Sequence, residues 1–172
     1  MTTVPADLLT PAVENLYAVF AQYLPLQLAD CCPHCTDADD LAGLQSAPLR
    51  ELDEDSLERF SFRTMTTWGD ADNFRHYLPR LLEWVVWGDE LDFEAVTSKL
   101  IYADWRSWPI EEQNTIEQFL LALWQAILSS TPYWLRRKHD AVLEPQISAD
   151  EFLERVMNLF CCFLYILCAN AT

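Results

Sequence analysis

Three glycines, Gly43, Gly69 and Gly88, serve a chain of 172 residues, and that scarcity constrains the fold more than any single motif. Sheets built from tight hairpins use glycine at turn after turn, because the favoured two-residue loops need positive φ. Few stretches alternate apolar and polar residues with period two, and the best strand candidate, YLPLQLAD at 23–30, is interrupted by Pro25. The expectation is therefore an all-α fold: one domain over residues 1–172 with a Cys-rich loop at 29–40. It should be a compact multi-helix domain of about six to eight helices, or else a HEAT-like stack of helical hairpins. Apolar residues make up 51% of the chain, enough to stabilise such a domain by burial without a disulfide framework.

The helices can be placed by periodicity and punctuation. Val13, Leu16, Tyr17 and Phe20 share one face, and Thr10-Pro11 reads as an N-cap and first-turn pair, so a helix is expected from about Pro11 to Leu24. Thr36 is expected to cap a short helix within DADDLAGLQ. Asp53 or Asp55 should open SLERFSFRTMTTW, with Leu57, Phe60 and Met65 inward and Gly69 as the left-handed stop. Asp70 begins ADNFRHYLPRLLEWVVW, whose Phe74, Tyr77, Leu78, Leu81, Leu82 and Val85 form a broad face; Pro79 should kink or break it, and Gly88 should end it. Asp92 then caps FEAVTSKLIYA. Pro109 starts the longest helix, with Glu111 and Glu112 against its N-terminal dipole, and Thr131-Pro132 ends it. A basic patch at 136–139 and a capping box, Ser148 with Glu151, precede a final apolar helix.

Charge is distributed unevenly. The net charge is −16, and residues 1–58 hold eleven Asp and Glu against Arg50 alone. Such a field repels nucleic acid and anionic lipid and favours a basic partner, while also keeping an apolar chain in solution. The opening MTTVPADLLTPAVENL carries neither a basic residue nor a signal-type apolar run, so a cytoplasmic protein is expected. The tail LFCCFLYILCA, eleven apolar residues, is too short to span a bilayer. It reads as a buried helix end or a surface for a second copy of the chain.

The loop ADCCPHCTDADD at 29–40 offers the densest chemistry. Cys32-Pro33-His34-Cys35 has the two-residue spacing of both zinc knuckles and redox dithiols. A zinc site would draw on Cys32, Cys35 and His34, with Cys31 too close in sequence for all four to turn to one ion, and a further ligand from His76, Asp37 or His139. Cys161 and Cys168 lie roughly 10 Å apart along a helix at the usual rise and cannot share one ion. A redox role would use Cys32 and Cys35 as a dithiol, although the thioredoxin-type βαβ setting is missing. The third reading is a packed loop whose thiols act as small apolar groups.

A second constellation surrounds the start of the fourth expected helix. Trp68, Asp70, Asp72, Arg75, His76, Arg80 and Glu83 fall at spacings that allow a linked surface row. In it Arg75 and Arg80 would bind an anion or partner, His76 would carry a proton or metal, and Trp68 would supply a flat wall. The alternative is structural: Trp68 in the core, Asp70 as a cap, and the cations on buried carbonyls. No hydroxyl or thiol nucleophile stands in register with His76, and glycine-rich phosphate loops, His-Glu-x-x-His and Gly-x-Ser-x-Gly are absent from the sequence. An enzyme using His76 and Asp70 is the weakest of the readings.

The Cys-rich loop followed by PLREL, TTWGD, FRHYLPRLLE, KLIYADWRSWP and FLLALW resembles a family of uncharacterised bacterial helical proteins over roughly residues 13–130. The resemblance implies a helical fold and no activity. Taken together, the residues lead to the expectation of a non-enzymatic acidic module without a cofactor. It would bind a basic protein through the N-terminal acidic third and the Trp68 to Arg80 segment, with Trp68, Asp70, Arg75, His76 and Arg80 as contact residues. The competing expectation is a zinc or thiol-redox protein centred on Cys32-Pro33-His34-Cys35, with His76 as an added metal ligand.

Overall fold

Burial of apolar stripes organises the chain into helices wherever the periodicity is strong. In the computed structural model, which describes residues 6–87 and 93–130, six α-helices run in order. They are α1 (Ala6–Phe20), α2 (Ala38–Gln45), α3 (Glu54–Arg63), α4 (Ala71–Trp87), α5 (Phe93–Tyr102) and α6 (Ile110–Ser130), with 3-10 turns at Leu28–Asp30, Leu49–Glu51 and Trp105–Ser107. Among the described residues there is no strand, only isolated bridges from Trp68 to Cys31 and to Thr64. The all-α expectation is met.

The core forms where α1 lies against both α4 and α6. Leu9, Val13, Leu16 and Phe20 of α1 face Phe74, Tyr77, Leu78, Leu81 and Leu82 of α4 and Ile116, Phe119, Leu120 and Leu123 of α6 within one buried cluster. Trp68, Trp105 and Trp108 complete it. Because the first and last of these helices pack side by side, the described helices close on themselves instead of forming an open stack with neighbour-only contacts.

Several boundaries differ from the sequence expectation, each for a physical reason. The first helix begins at Ala6, with Pro11 inside it. Leu9 is fully buried a turn before Val13, and Pro11, near the helix start, deprives only the Asp7 carbonyl of an intrahelical donor. Likewise α4 runs unbroken through Pro79, which is itself buried beside Leu78 and Leu82. The apolar contacts of that face outweigh the cost of a proline inside a helix, about 3 kcal/mol for the missing donor and the ring clash together. Helix α2 is capped by Asp37 rather than Thr36: the Asp37 carboxylate accepts from the Asp40 N–H (3.0 Å) and the Asp40 carboxylate from the Asp37 N–H (3.2 Å).

Helix α3 opens on Asp53, which accepts from the Ser56 N–H at 2.8 Å, and ends at Arg63, six residues before Gly69. Its last carbonyls have a partner that periodicity cannot show: Lys99 Nζ of α5 donates to the carbonyls of Phe62 (3.1 Å) and Thr64 (2.9 Å). The left-handed residue after the helix is Met65 (φ 59°), and Gly69 (φ 61°) takes a second left-handed position where the chain turns into α4. A Cβ at Gly69 would also overlap Asn73 and Leu26. At Gly43 the need is for room, since a Cβ there would overlap the Ser56 hydroxyl where α2 meets α3. The expected stop at Gly88, the Asp92 cap, the Thr131-Pro132 break, the 136–139 patch with His139, and the C-terminal helix with Cys161, Cys162 and Cys168 lie outside the described residues.

Candidate functional site

The polar row of α4 is placed by a cap and by the stripe beneath it. Asp70 Oδ1 accepts from the N–H groups of Asp72 (2.9 Å) and Asn73 (3.2 Å), and the Asn73 side-chain oxygen accepts from the Asp70 N–H (3.1 Å). That fixes the start of α4, so Phe74, Tyr77, Leu78 and Leu81 turn inward and Arg75, His76 and Arg80 fall at the margin of the buried face. None of the three is fully exposed.

Arg75 is a wedge between helices. Its Nη1 donates to Asp72 (2.9 Å) and to the Tyr23 hydroxyl (3.1 Å), and its guanidinium stacks 4.2 Å from the centroid of the Trp108 ring. Its Nε approaches Glu112 Oε2 at 3.6 Å, an ion pair without a hydrogen bond at that edge. Glu112 is 1% exposed and accepts the Tyr23 hydroxyl proton at 2.5 Å on its other oxygen. Burial first, then that bond to Glu112, pushes the Tyr23 phenol up to about 12. A cation, a phenol and a carboxylate from three parts of the chain thus hold the segment just after α1, the second turn of α4 and the first turn of α6 together.

Glu112 lies in the first turn of α6 as expected, but its burial was not foreseen. It reads as a first-turn carboxylate facing the helix dipole, which suits the exposed Glu111. Yet Glu112, Thr115, Ile116 and Phe119 recur at spacings of three, four and seven, and all four are buried. A carboxylate on the apolar stripe of a helix was the available signal for an internal ion pair.

Arg80 is held in the same way. Its Nε and Nη2 donate to the Leu52 carbonyl (3.2 and 2.9 Å), which also accepts from Trp84 Nε1 (3.2 Å), and its Nη1 donates to Glu83 at 2.7 Å. Glu83 in turn accepts from the Tyr17 hydroxyl at 2.5 Å, and Arg50, bidentate to Glu14, lies over the Tyr17 ring. Trp68, the expected flat wall, is 1% exposed, and its indole N–H donates to the buried Thr36 hydroxyl at 2.8 Å.

His76 stands apart from the row. Its Nδ1 lies 2.8 Å from the Tyr23 carbonyl, which can only accept, so Nδ1 carries the proton and Nε2 of the neutral ring is left as an acceptor. With Tyr77, Gln27, Leu44, Leu49 and Leu52 it walls a cavity of ≈ 440 Å³. Burial lowers the His76 pKa below its ordinary 6.5, partly offset by the bond to Tyr23. A group whose folded pKa is depressed in this way favours the folded state in its neutral form. Its stabilisation is complete above about pH 6.5 and is lost as pH falls toward the folded pKa. Unfolding free energies measured between pH 7.5 and 5 should fall less steeply for His76→Gln than for the parent protein; parallel curves would contradict this.

The Cys-rich loop lies on the other side of Trp68. Cys31 is buried with its thiol toward the Gln27 carbonyl (3.5 Å), Cys32 is half-buried, and Cys35 is exposed. Burial first, then the charge of Asp30, pushes the Cys31 thiol up. Cys35 N–H donates to the Cys32 carbonyl at 3.1 Å, closing a turn with His34 at its exposed tip. Among the described residues no three His, Cys, Asp or Glu side chains gather as a metal would require. The structure thus joins Cys32 and Cys35 locally but does not bring His76 to them.

Among the described residues no helix is long and apolar enough to cross a membrane. Comparison with known proteins finds no family model, no curated relative and no solved structure that matches the chain, so a functional reading stands on these residues alone.

Proposed function

We propose that this helical domain is an interaction module that binds a basic protein through the acidic arc of residues 30–55. The observation that carries the reading is the division of charge on the surface. Asp30, Asp37, Asp39, Glu51, Asp53 and Asp55 are exposed, and none of them is in an ion pair among the described residues. Arg50, Arg63, Arg75 and Arg80, by contrast, are each paired with a carboxylate of the chain and lie over an aromatic ring. The six carboxylates outnumber the cations beside them, Arg50, Arg59 and Arg63, of which Arg50 and Arg63 already pair with Glu14 and Asp40, and this surplus of negative charge steers and orients a positively charged partner. In this reading the Trp68 to Arg80 segment supports the arc through Trp68, which holds the loop at Cys31 and Thr36.

A fluorescent lysine-rich peptide, titrated by anisotropy, tests the proposal. Affinity should fall as salt rises through the range where the Debye length shrinks below about 10 Å. Asp39→Asn/Asp55→Asn, two positions outside the helix caps, should weaken binding by about three- to tenfold. Asp104→Asn/Glu111→Gln changes the net charge equally at two exposed positions outside the arc and should cost less. Equal losses for the two double variants would reduce the effect to net charge and overturn the proposal.

A further inference from the structure

The turn at Cys32 and Cys35 is built more firmly than an exposed loop requires. On one side, Cys31 bridges to Trp68, the Cys32 N–H donates to the Thr67 carbonyl (2.8 Å), and the Gly69 N–H donates to the Asp30 carbonyl (3.0 Å). On the other, the Thr36 hydroxyl accepts the Trp68 indole N–H in the core. The four-residue turn is therefore held at both ends against one buried tryptophan, and its own Cys35 N–H to Cys32 carbonyl bond closes it. Extended backbone at Cys31 turns that thiol inward, so the next side chain, Cys32, faces out beside Cys35.

We propose that Cys32 and Cys35 form a thiol–disulfide exchange site that reacts preferentially with positively charged disulfides. In the first step the Cys32 thiolate attacks one sulfur of R–S–S–R, forming a Cys32–S–S–R bond and releasing RS⁻. In the second, Cys35 gives up its proton to solvent and attacks the Cys32 sulfur, forming the Cys32–Cys35 disulfide and releasing the second RS⁻. Two protein thiols are oxidised and one disulfide is reduced to two thiols, with the co-reactant supplied as the disulfide itself. The order of attack follows from hydrogen bonding. The backbone at His34 and the neighbouring Cys35 thiol lower the Cys32 thiol below its ordinary range, while the same neighbour, Cys32, pushes Cys35 up.

The charge preference comes from the surroundings. Asp30, Asp37 and Asp39 flank the turn in sequence, all exposed and outside any ion pair among the described residues, and they outnumber the one cation that acts on Cys35, Arg63, which Asp40 already pairs. They repel an anionic disulfide and concentrate a cationic one at the thiolate. The site does not depend on the partner-binding proposal, because small disulfides probe it alone.

Reduced full-length protein is exposed to cystamine, a dication, and to glutathione disulfide, an anion, then alkylated and mapped peptide by peptide. Each rate is divided by that of the same disulfide with a small model thiol, which removes leaving-group differences. Cystamine should react about tenfold faster than glutathione disulfide at low salt, with the gap closing at high salt. The product should be an intramolecular Cys32–Cys35 disulfide, and Cys35→Ser should instead retain one mixed disulfide on Cys32, with Cys31 untouched. First modification at Cys31 or Cys35, or a lasting mixed disulfide in the parent protein, would overturn the proposal. So would about one zinc per chain that blocks both thiols until it is chelated.

Discussion

Arg75→Ala is expected to lower the unfolding free energy by about 3 kcal/mol, the scale set by stranding one partner of a buried ion pair. The reason lies less in the attraction lost than in what remains. Glu112 would stay buried at 1% exposure, with the Tyr23 hydroxyl as its near partner and no cation in reach of Oε2. The Tyr23 hydroxyl would lose the donor that holds it from the other side, and Trp108 would lose the guanidinium stacked on its face. Arg75→Met separates these effects: it retains an apolar stem against Trp108 but still leaves the carboxylate without its cation, so it should recover only part of the loss. Denaturant unfolding of the two variants checks the order. Exposed Arg59 serves as the comparison, since its replacement should move stability by less than about 0.5 kcal/mol.

Trp68→Ala is expected to be at least as damaging, at about 3 to 5 kcal/mol for a large aromatic removed from a packed core. Trp68 ties the Cys-rich loop to the end of α3: its backbone bridges to Cys31 and Thr64, and its indole reaches Thr36. Trp68→Phe keeps most of the volume and strands the Thr36 hydroxyl, so it should cost about 1 to 3 kcal/mol. The two variants also differ in a second readout. Trp68→Ala should open the loop so that Cys31, buried in the parent protein, becomes alkylated at a rate approaching that of Cys35. Unchanged protection of Cys31 would show that the loop is held by something other than this tryptophan.

These expectations mark where the sequence was legible and where it was not. Local chemistry was readable: the apolar stripe of α4, the caps at Asp53 and Asp70 and the shortage of glycine all follow from neighbours a few residues apart. Features settled by distant partners were not. Pro11 and Pro79 sit inside helices because the faces around them are buried, and α3 ends early because Lys99, 36 residues beyond Arg63 in the chain, meets its last carbonyls. The polar row illustrates the same limit. Its spacings permitted a surface ridge or an internal brace, and only the positions of Tyr23, Leu52 and Glu112 show Arg75 and Arg80 reaching inward. The turn of Cys32 and Cys35 was evident as a motif, whereas its attachment to Trp68 required the fold.

That inward arrangement underlies the rest, because Arg75 and Arg80 leave the surplus of surface carboxylates standing only if they are engaged within the molecule. A double-mutant cycle between Arg75 and Glu112, read by denaturant unfolding of the parent protein, both alanine variants and the double variant, measures it directly. The arrangement predicts a coupling of at least about 1 kcal/mol, with the double variant far less damaged than the sum of the single losses. Additive losses would mean that Arg75 and Glu112 do not sense each other, and α4 would then present its arginines to solvent.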